Sequence, residues 1–518
     1  MQTPITSILI VGGGTAGWLS AGIIASSQKT RIANGELTVT LCESANIATV
    51  GVGEGTWPTM RITLKKMGVS ESELFRECEA SFKQGSKFVN WSHDQGPNHY
   101  YHPFQPPQGF PEVNVSEHWL HSAARQSKSF SRSFCEQEAV CEQQKAPKTI
   151  TNAEYDPVLN YGYHLNAAVF SKFLNKHCTK KLGVKHIVAD ITAVALDKRG
   201  AIASVQTEQA GELSADLYID CSGFKSLLLG EALGVKYKSI ADVLFADTAL
   251  AMQVPYSSPE VPIQSATMSI AQDAGWIWDI GLPSRRGVGH VFSSAYMSVD
   301  EATQKLHSYI GASGGKPEGL DIKEIRFNAG YREKFWHKNC VAVGLSAGFI
   351  EPLEAAALMM IELSAQSVSE QLPKTQEALP ISARRFNESF SYRWQRIVEF
   401  LKLHYVLSRR SSPFWLDNKD AASIPESLQE LLLLWQHSTP AHTDFGHVKE
   451  LFGAASFQYV LYGMDHKASP LFGEDKVMGD YAETLIARNT QRLKQLLSTL
   501  PSNRELIEKI HKYGLSKI

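Results

Sequence analysis

No apolar run in this 518-residue chain approaches the roughly 20 residues that a helical membrane span requires. The apolar stretch nearest the N-terminus, Ile8 to Val11, is too short for a secretory signal and leads directly into glycines. A cytoplasmic protein is the expectation. Long basic runs are missing as well: 51 Lys plus Arg stand against 53 Asp plus Glu, a formal net charge of -2, so nothing in the sequence suits tracking of nucleic-acid phosphates. Cysteine is scarce and unpatterned. The seven residues (42, 78, 135, 141, 178, 221, 340) show no CxxC spacing, which argues against a disulfide framework and a zinc ribbon alike. His93, His99, His102, His118 and His121 crowd one stretch, yet HxxH at 118 to 121 has no acid at ligand spacing, so no metal site is expected.

What is present is ample apolar material, 43% of the chain, at a length suited to about two to four domain-sized units. Ser7 to Val11 and Leu37 to Leu41 are short β-prone runs separated by a small-residue helical segment from Thr15 to about Ser27, giving a βαβ opening. Strand-like runs return far downstream at Ala215 to Ile219 and Asn339 to Val343, each followed closely by glycine. A sheet fed by such separated segments is discontinuous in sequence, and the intervening stretches build a second layer. Residues 92 to 150 have weak periodicity and read as long loops with short helices. From about residue 364 the pattern turns helical, and Ser502 with Glu505 has the capping-box form that starts a last helix.

The densest motif is Gly12-Gly13-Gly14-Thr15-Ala16-Gly17, a GxGxxG placed after a strand and opening a helix. Gly12 makes the tight turn, Gly14 lets a pyrophosphate approach the backbone, and Gly17 lets helix and strand pack closely. Thr15 and Ala16 complete the loop. Glu43 ends the next strand, where a carboxylate can accept from a ribose hydroxyl. Asp220-Cys221-Ser222-Gly223 and Gly344-Leu345-Ser346-Ala347-Gly348, each following its own hydrophobic strand, are loops of the kind that close over a flavin, which favours FAD over NAD.

Four further segments are more specific: GVGEGTWP (51 to 58), FKQGSKFVNW (82 to 91), GWIWDIG (275 to 281) and GLSAGFIEPLE (344 to 354). Together with GGGTAGW (12 to 18) they resemble the flavin-dependent halogenases, the family typified by tryptophan halogenases. The resemblance implies an α/β, FAD-binding Rossmann-type two-domain monooxygenase fold with a mostly helical C-terminal part. Residues 1–370 would form the FAD-binding core, with substrate-side segments inserted at about 92–160 and 235–330, and residues 371–518 would complete the substrate side. The family's catalytic lysine, four residues before the lysine of its KF[VI]NW segment, falls on Lys83, with Lys87 as the second lysine. Its catalytic glutamate falls on Glu354.

The same resemblance assigns Gly53 and Glu54 to a strap-like loop linking flavin and substrate sites, and Gly344, Ser346 and Leu353 to the flavin. Ala356 and Ala357 fall at the halide, and His102 and Phe104 in the wall of an aromatic pocket. Trp276 and Trp278 carry the W-x-W-x-I-P signature, with Gly281 in the proline's place. Ala355-Ala356-Ala357 replaces the family's Ser-Thr-Gly, keeping the backbone donors and losing two hydroxyls. The implied reaction is halogenation of an electron-rich aromatic compound of the tryptophan, indole, phenol or pyrrole type by hypohalous acid delivered to Lys83. It would use FADH2 from a separate flavin reductase, oxygen and a halide ion, and a homodimer is compatible with it. An FAD-dependent hydroxylase or reductase of the same fold, and a flavin-binding protein without catalysis, are the alternatives.

Overall fold

The computed structural model describes residues 3–47, 53–122, 125, 127–446, 450–469 and 476–517. Gly51 and Val52, the first two residues of the GVGEGTWP segment, lie outside these. The chain forms two compact units, each assembled from three separated stretches: Met1–Ala80, Leu165–Ile240 and Asn328–Trp394 in the first, and Ser81–His164, Ala241–Phe327 and Gln395–Ile518 in the second.

The first unit is built on a six-stranded sheet in the order Trp336–His337, Cys340–Ala342, Leu217–Asp220, Ser7–Val11, Thr38–Glu43, Lys185–Val188. Its strands are parallel except for the short Trp336–His337 edge. Parallel strands need both faces covered, and the central ones are accordingly unbroken apolar runs: Ile8 through Val11 and Leu217 through Ile219 are buried. The helix Thr15–Ser27 packs against Ala167–Lys181 and Ala356–Glu370. The strands Ser7–Val11, Thr38–Glu43, Leu217–Asp220 and Cys340–Ala342 fall where the sequence places them, to within two residues, while Lys185–Val188 and Trp336–His337 were not marked by it. Two small three-stranded sheets, Ile191–Leu196 with Ile202–Thr207 and Gly211–Leu213, and Tyr237–Ser239 with Gly330–Arg332 and Gly348–Phe349, complete the unit.

The second unit carries a seven-stranded sheet in the order Lys323–Arg326, Thr248–Pro255, Arg285–Phe292, Gly275–Gly281, Thr267–Gln272, Gly85–Val89, His99–Pro103. Its pairs are antiparallel except that Gly85–Val89 runs parallel to Thr267–Gln272. His99–Pro103 corrects the reading of residues 92 to 150 as loops and short helices. That run alternates too little to announce a strand because four of its five residues, Tyr100 through Pro103, are buried on both faces. Short helices do follow, at Val115–His121, Phe130–Phe134 and Gln137–Glu142. Beyond the long helix Leu379–Val406 the chain is helical, and Ser502 accepts from the Glu505 N–H at 3.1 Å to cap Asn503–Tyr513 as its spacing predicts. Helicity itself begins earlier than residue 364, at Ala356.

Among the described residues no helix is long and apolar enough to cross a membrane. His118, from the histidine-rich stretch, instead meets the Glu483 carboxylate at 2.9 Å.

Candidate active site

The fingerprint loop of the first unit shows a separate physical reason for each glycine. Gly12 has φ +113°, and a Cβ there would lie 2.2 Å from the Cys221 carbonyl oxygen. A Cβ on Gly17 would lie 1.8 Å from the Gly12 oxygen, while one on Gly14 would meet nothing within 4 Å. The first and last glycines thus close the loop, and the middle one leaves space above it. Helix Thr15–Ser27 begins at that space with no acidic residue in its first turn and no side-chain cap from Gly14. The buried Thr15 hydroxyl has no hydrogen-bond partner. Open room, unpaired helix N–H groups and an idle hydroxyl are what an anionic pyrophosphate requires, so the residues present fit FAD at this loop.

Glu43 ends its strand beside the loop. One carboxylate oxygen meets His186 Nε2 at 2.7 Å, and the other lies where a side chain on Gly13 would stand. Gly344 (φ +76°) brings the second loop against Ala16, whose Cβ would be 2.8 Å from a Cβ at that glycine. The Ser346 hydroxyl is directed at the backbone carbonyls of Asp220 and Val343, which ties its loop to the Asp220 loop. Asp220 is also committed internally. Its carboxylate accepts from the Ser222 N–H at 3.0 Å and from the N–H groups of Leu228 and Leu229, both at 2.9 Å, capping the turn that follows.

Past the second loop, Leu353 and Glu354 are buried and Ala355 takes a left-handed conformation, φ 53° and ψ 36°, at the start of helix Ala356–Glu370. Ala356 is buried and Ala357 exposed, and the first turn of this helix again lacks an acid. The Trp57 indole Nε1 donates to the Glu354 carbonyl at 2.9 Å. Gly53 and Glu54 precede it, both half-buried, and desolvation pushes the Glu54 carboxyl up to about 7. A third acid, Glu362, was not singled out by sequence. It is buried on the inner face of the same helix, where desolvation raises it to about 7 against hydrogen bonds from Thr63, Thr59 and Gln366.

Lys83 belongs to the second unit. It ends the strand Ser81–Lys83, which pairs antiparallel with Gly162–Leu165, and it is 1% exposed. Its Nζ stands 5.2 Å from the centroid of the Phe104 ring, a cation–π distance. The backbone around it is held tightly: Asn503 Nδ2 donates to the Phe82 carbonyl at 3.2 Å, and the Gln84 N–H to the Ser265 carbonyl at 2.7 Å. Lys87, the second lysine of the motif, is committed elsewhere. Its Nζ lies 2.5 Å from Glu142, which also accepts from the Tyr101 hydroxyl at 2.7 Å.

Lys83 and Phe104 are therefore brought together. His102, one strand residue earlier than Pro103, is buried in an aromatic nest: its Nε2 meets Ser456 Oγ at 3.0 Å, and its ring lies 5.5 Å from Phe400 and 6.3 Å from both Phe452 and Tyr459. His164 sits on the partner strand opposite Ser81, on the face that Lys83 shares. Its Nε2 meets Thr267 Oγ1 at 2.8 Å while its buried Nδ1 has no partner. Burial first, and the Lys83 charge second, hold it well below the usual imidazole range, so it is neutral. The sequence gives His164 no chemistry because a histidine in a Tyr-His-Leu-Asn run is indistinguishable from a core residue.

Trp276 and Trp278 occupy the central strand Gly275–Gly281. Trp276 is wholly buried, 6.5 Å from Trp91 and 6.4 Å from Trp278, and Trp278 is half-buried over Gly289. Gly281 uses its small size: a Cβ there would come within 3.0 Å of Ile263, and its carbonyl accepts from the Ser81 hydroxyl at 2.5 Å. Trp276 is thus a core residue, and the strand that carries both tryptophans is bonded at Gly281 to Ser81 of the Lys83 strand.

Known proteins carry the same plan. The tryptophan halogenase family model matches residues 7–474. The chain is 32% identical to the 7-chloro-L-tryptophan 6-halogenase KtzR of Kutzneria sp. (strain 744), over 97% of this chain and 99% of that protein. It is 29% identical to the tryptophan 7-halogenase RebH of Lentzea aerocolonigenes, over 99% of this chain and 100% of that protein. Among solved structures, a tryptophan halogenase from Shewanella frigidimarina NCIMB 400 superposes with a TM-score of 0.96 at 46% identity, covering 100% of both chains. With its α/β fold, its FAD-compatible glycine loops and a match that runs nearly end to end, the chain belongs to the tryptophan halogenase family of flavin-dependent enzymes.

Proposed function

We propose that this enzyme halogenates an electron-rich aromatic small molecule, with tryptophan or a related indole as the first candidate, using FADH2 from a separate flavin reductase, oxygen and a halide. The observation that carries the reading is a lysine amine buried to 1% exposure against an aromatic ring on the face of a core strand. A desolvated lysine amine is the kind that becomes chemically active.

Bound flavin, once reduced, supplies with oxygen the oxidising equivalent that converts halide to hypohalous acid. Gly12, Gly14, Thr15, Ala16 and Gly17 would hold its pyrophosphate, with Glu43 at the ribose and Gly53, Glu54, Gly344, Ser346 and Leu353 around the remainder. Ala356 and Ala357 would offer backbone N–H groups to the halide at a helix N-terminus. In the second unit, Lys83 Nζ would hydrogen-bond hypohalous acid or take up the halogen as a haloamine, orienting it toward a flat ring stacked by Phe104 and bounded by His102. In the first unit, Glu354, where the resemblance puts the family's catalytic glutamate, would supply a carboxylate able to accept a proton or stabilise developing positive charge.

The relatives named above act on tryptophan or chlorotryptophan by their names, which supports testing tryptophan first. Purified enzyme, a flavin reductase, FAD, NADH and either bromide or chloride, offered a panel of tryptophan, indole, phenol and pyrrole, should yield a product with the isotope pattern of the added halogen. A hydroxylated product independent of halide would replace this reading with that of a monooxygenase.

A further inference from the structure

Four hydrogen bonds, in two places, fix the end of the strap-like segment and the helix after it to helix Ala356–Glu370 and the residue before its N-cap in the first unit. At the helix start, Trp57 Nε1 donates to the Glu354 carbonyl at 2.9 Å. Two turns farther along, Thr59 and Thr63 donate to the Glu362 carboxylate at 3.1 and 2.5 Å, and Gln366 donates to Thr63 at 2.9 Å. Thr59 and Thr63 lie on the helix Thr59–Lys66, which follows Trp57 directly, so this network sets where the indole begins.

The peptide that Trp57 holds is an unusual one. Ala355, on its far side, has φ 53° and ψ 36°, a left-handed conformation that an L-residue with a Cβ keeps only when its surroundings enforce it. Alanine has no side-chain oxygen to stabilise the turn itself, and the chain has no glycine there. The Ala355 N–H closes the turn onto the Pro352 carbonyl at 3.1 Å, and the indole N–H secures the carbonyl at the other end of the same peptide. Rotation of that peptide would redirect both the Glu354 side chain and the first N–H groups of the helix.

We propose that Trp57 is a positioning residue for halogenation: by holding the Glu354 carbonyl it keeps the left-handed turn in place, and so aims the Glu354 carboxyl and the Ala356 and Ala357 N–H groups. This rests on the assignment of those three residues to the chemistry given above. Where the family commonly has Ser-Thr-Gly after its glutamate, this chain has three alanines, and an indole donor from 297 residues away in sequence holds the turn.

Trp57→Phe keeps the ring and removes the donor. In the FAD-loaded enzyme it should raise the bromide concentration for half-maximal rate by about tenfold, through the misaimed N–H groups, and lower the rate at saturating bromide by about threefold or more, through the misaimed Glu354 carboxyl. Glu354→Gln should lower the rate at every bromide concentration. A second readout needs no turnover. In enzyme labelled with 15N-tryptophan and loaded with FAD, the indole resonance missing from Trp57→Phe should exchange slowly with solvent and shift as bromide is added. A rapidly exchanging, bromide-insensitive resonance overturns the proposal, and Trp57→Tyr supplies the same assignment should Trp57→Phe fail to fold. Wild-type bromide dependence in Trp57→Phe beside an impaired Glu354→Gln overturns the positioning role alone, whereas a fully active Glu354→Gln overturns the assignment of Glu354.

Discussion

In the first unit the candidate residues are mostly glycine and alanine, and what they contribute is backbone N–H groups, tight turns and empty space: Gly12, Gly14, Gly17, Gly344, Ala356 and Ala357. In the second they are Lys83, His102, Phe104, Trp276 and Trp278, which contribute an amine and aromatic surface held by packing. Under the proposed function the contrast follows from what each would recognise. A pyrophosphate and a halide are anions that backbone dipoles bind well, whereas a flat organic ring and an oxidant need side chains that reach. The two units should therefore fail in opposite ways, the first when atoms are added and the second when they are removed.

The largest expected effect is a deletion in the second unit. Trp276→Ala empties a wholly buried site packed against Trp91, and should cost about 3–5 kcal/mol in urea unfolding. A loss below about 1 kcal/mol would mean that the signature tryptophan is not a core residue. Its counterpart in the first unit is an addition. Gly17→Ala places a methyl 1.8 Å from a backbone oxygen and should cost about 3 kcal/mol. Gly14→Ala, with nothing within 4 Å, should change stability by no more than about 1 kcal/mol yet weaken FAD at least about tenfold in a fluorescence titration. Equal losses of stability in the two glycine variants would erase the distinction between closing the loop and leaving room above it.

A smaller effect concerns Glu362, a buried ionisable side chain of the first unit. Burial raises its carboxyl to about 7, so the folded state binds this proton more tightly than the unfolded chain. Its contribution to stability is full below the unfolded value near 4.5 and is lost as pH rises through about 7. The difference in unfolding free energy between wild type and Glu362→Gln should therefore shift by up to about 2–3 kcal/mol in favour of the glutamine between pH 5 and pH 8. A difference independent of pH would show that the acid titrates normally.

How legible each unit was follows the same division. The fingerprint strand and helix are local patterns, a five-residue apolar run and a glycine-spaced helix start, and both lie where the sequence puts them. The burial of Lys83 was legible through its neighbours, since Phe82, Phe88 and Trp91 flank it in one short segment. Trp57 and Glu362 were not, because their roles depend on partners 297 and about 300 residues away that no local spacing encodes. The strand His99–Pro103 was hidden for a related reason: a strand buried on both faces loses the alternation that identifies one.

The central claim is that oxidant production depends on the flavin loops and its use depends on the Lys83 amine. The most direct measurement supplies wild type and Lys83→Ala with reductase, FAD, NADH, oxygen, bromide and an indole substrate, and follows brominated indole together with oxidised bromine released to a chemical trap. Lys83→Ala should lose the brominated product and keep bromide-dependent release to the trap. Brominated indole formed by Lys83→Ala at the wild-type rate would contradict the account.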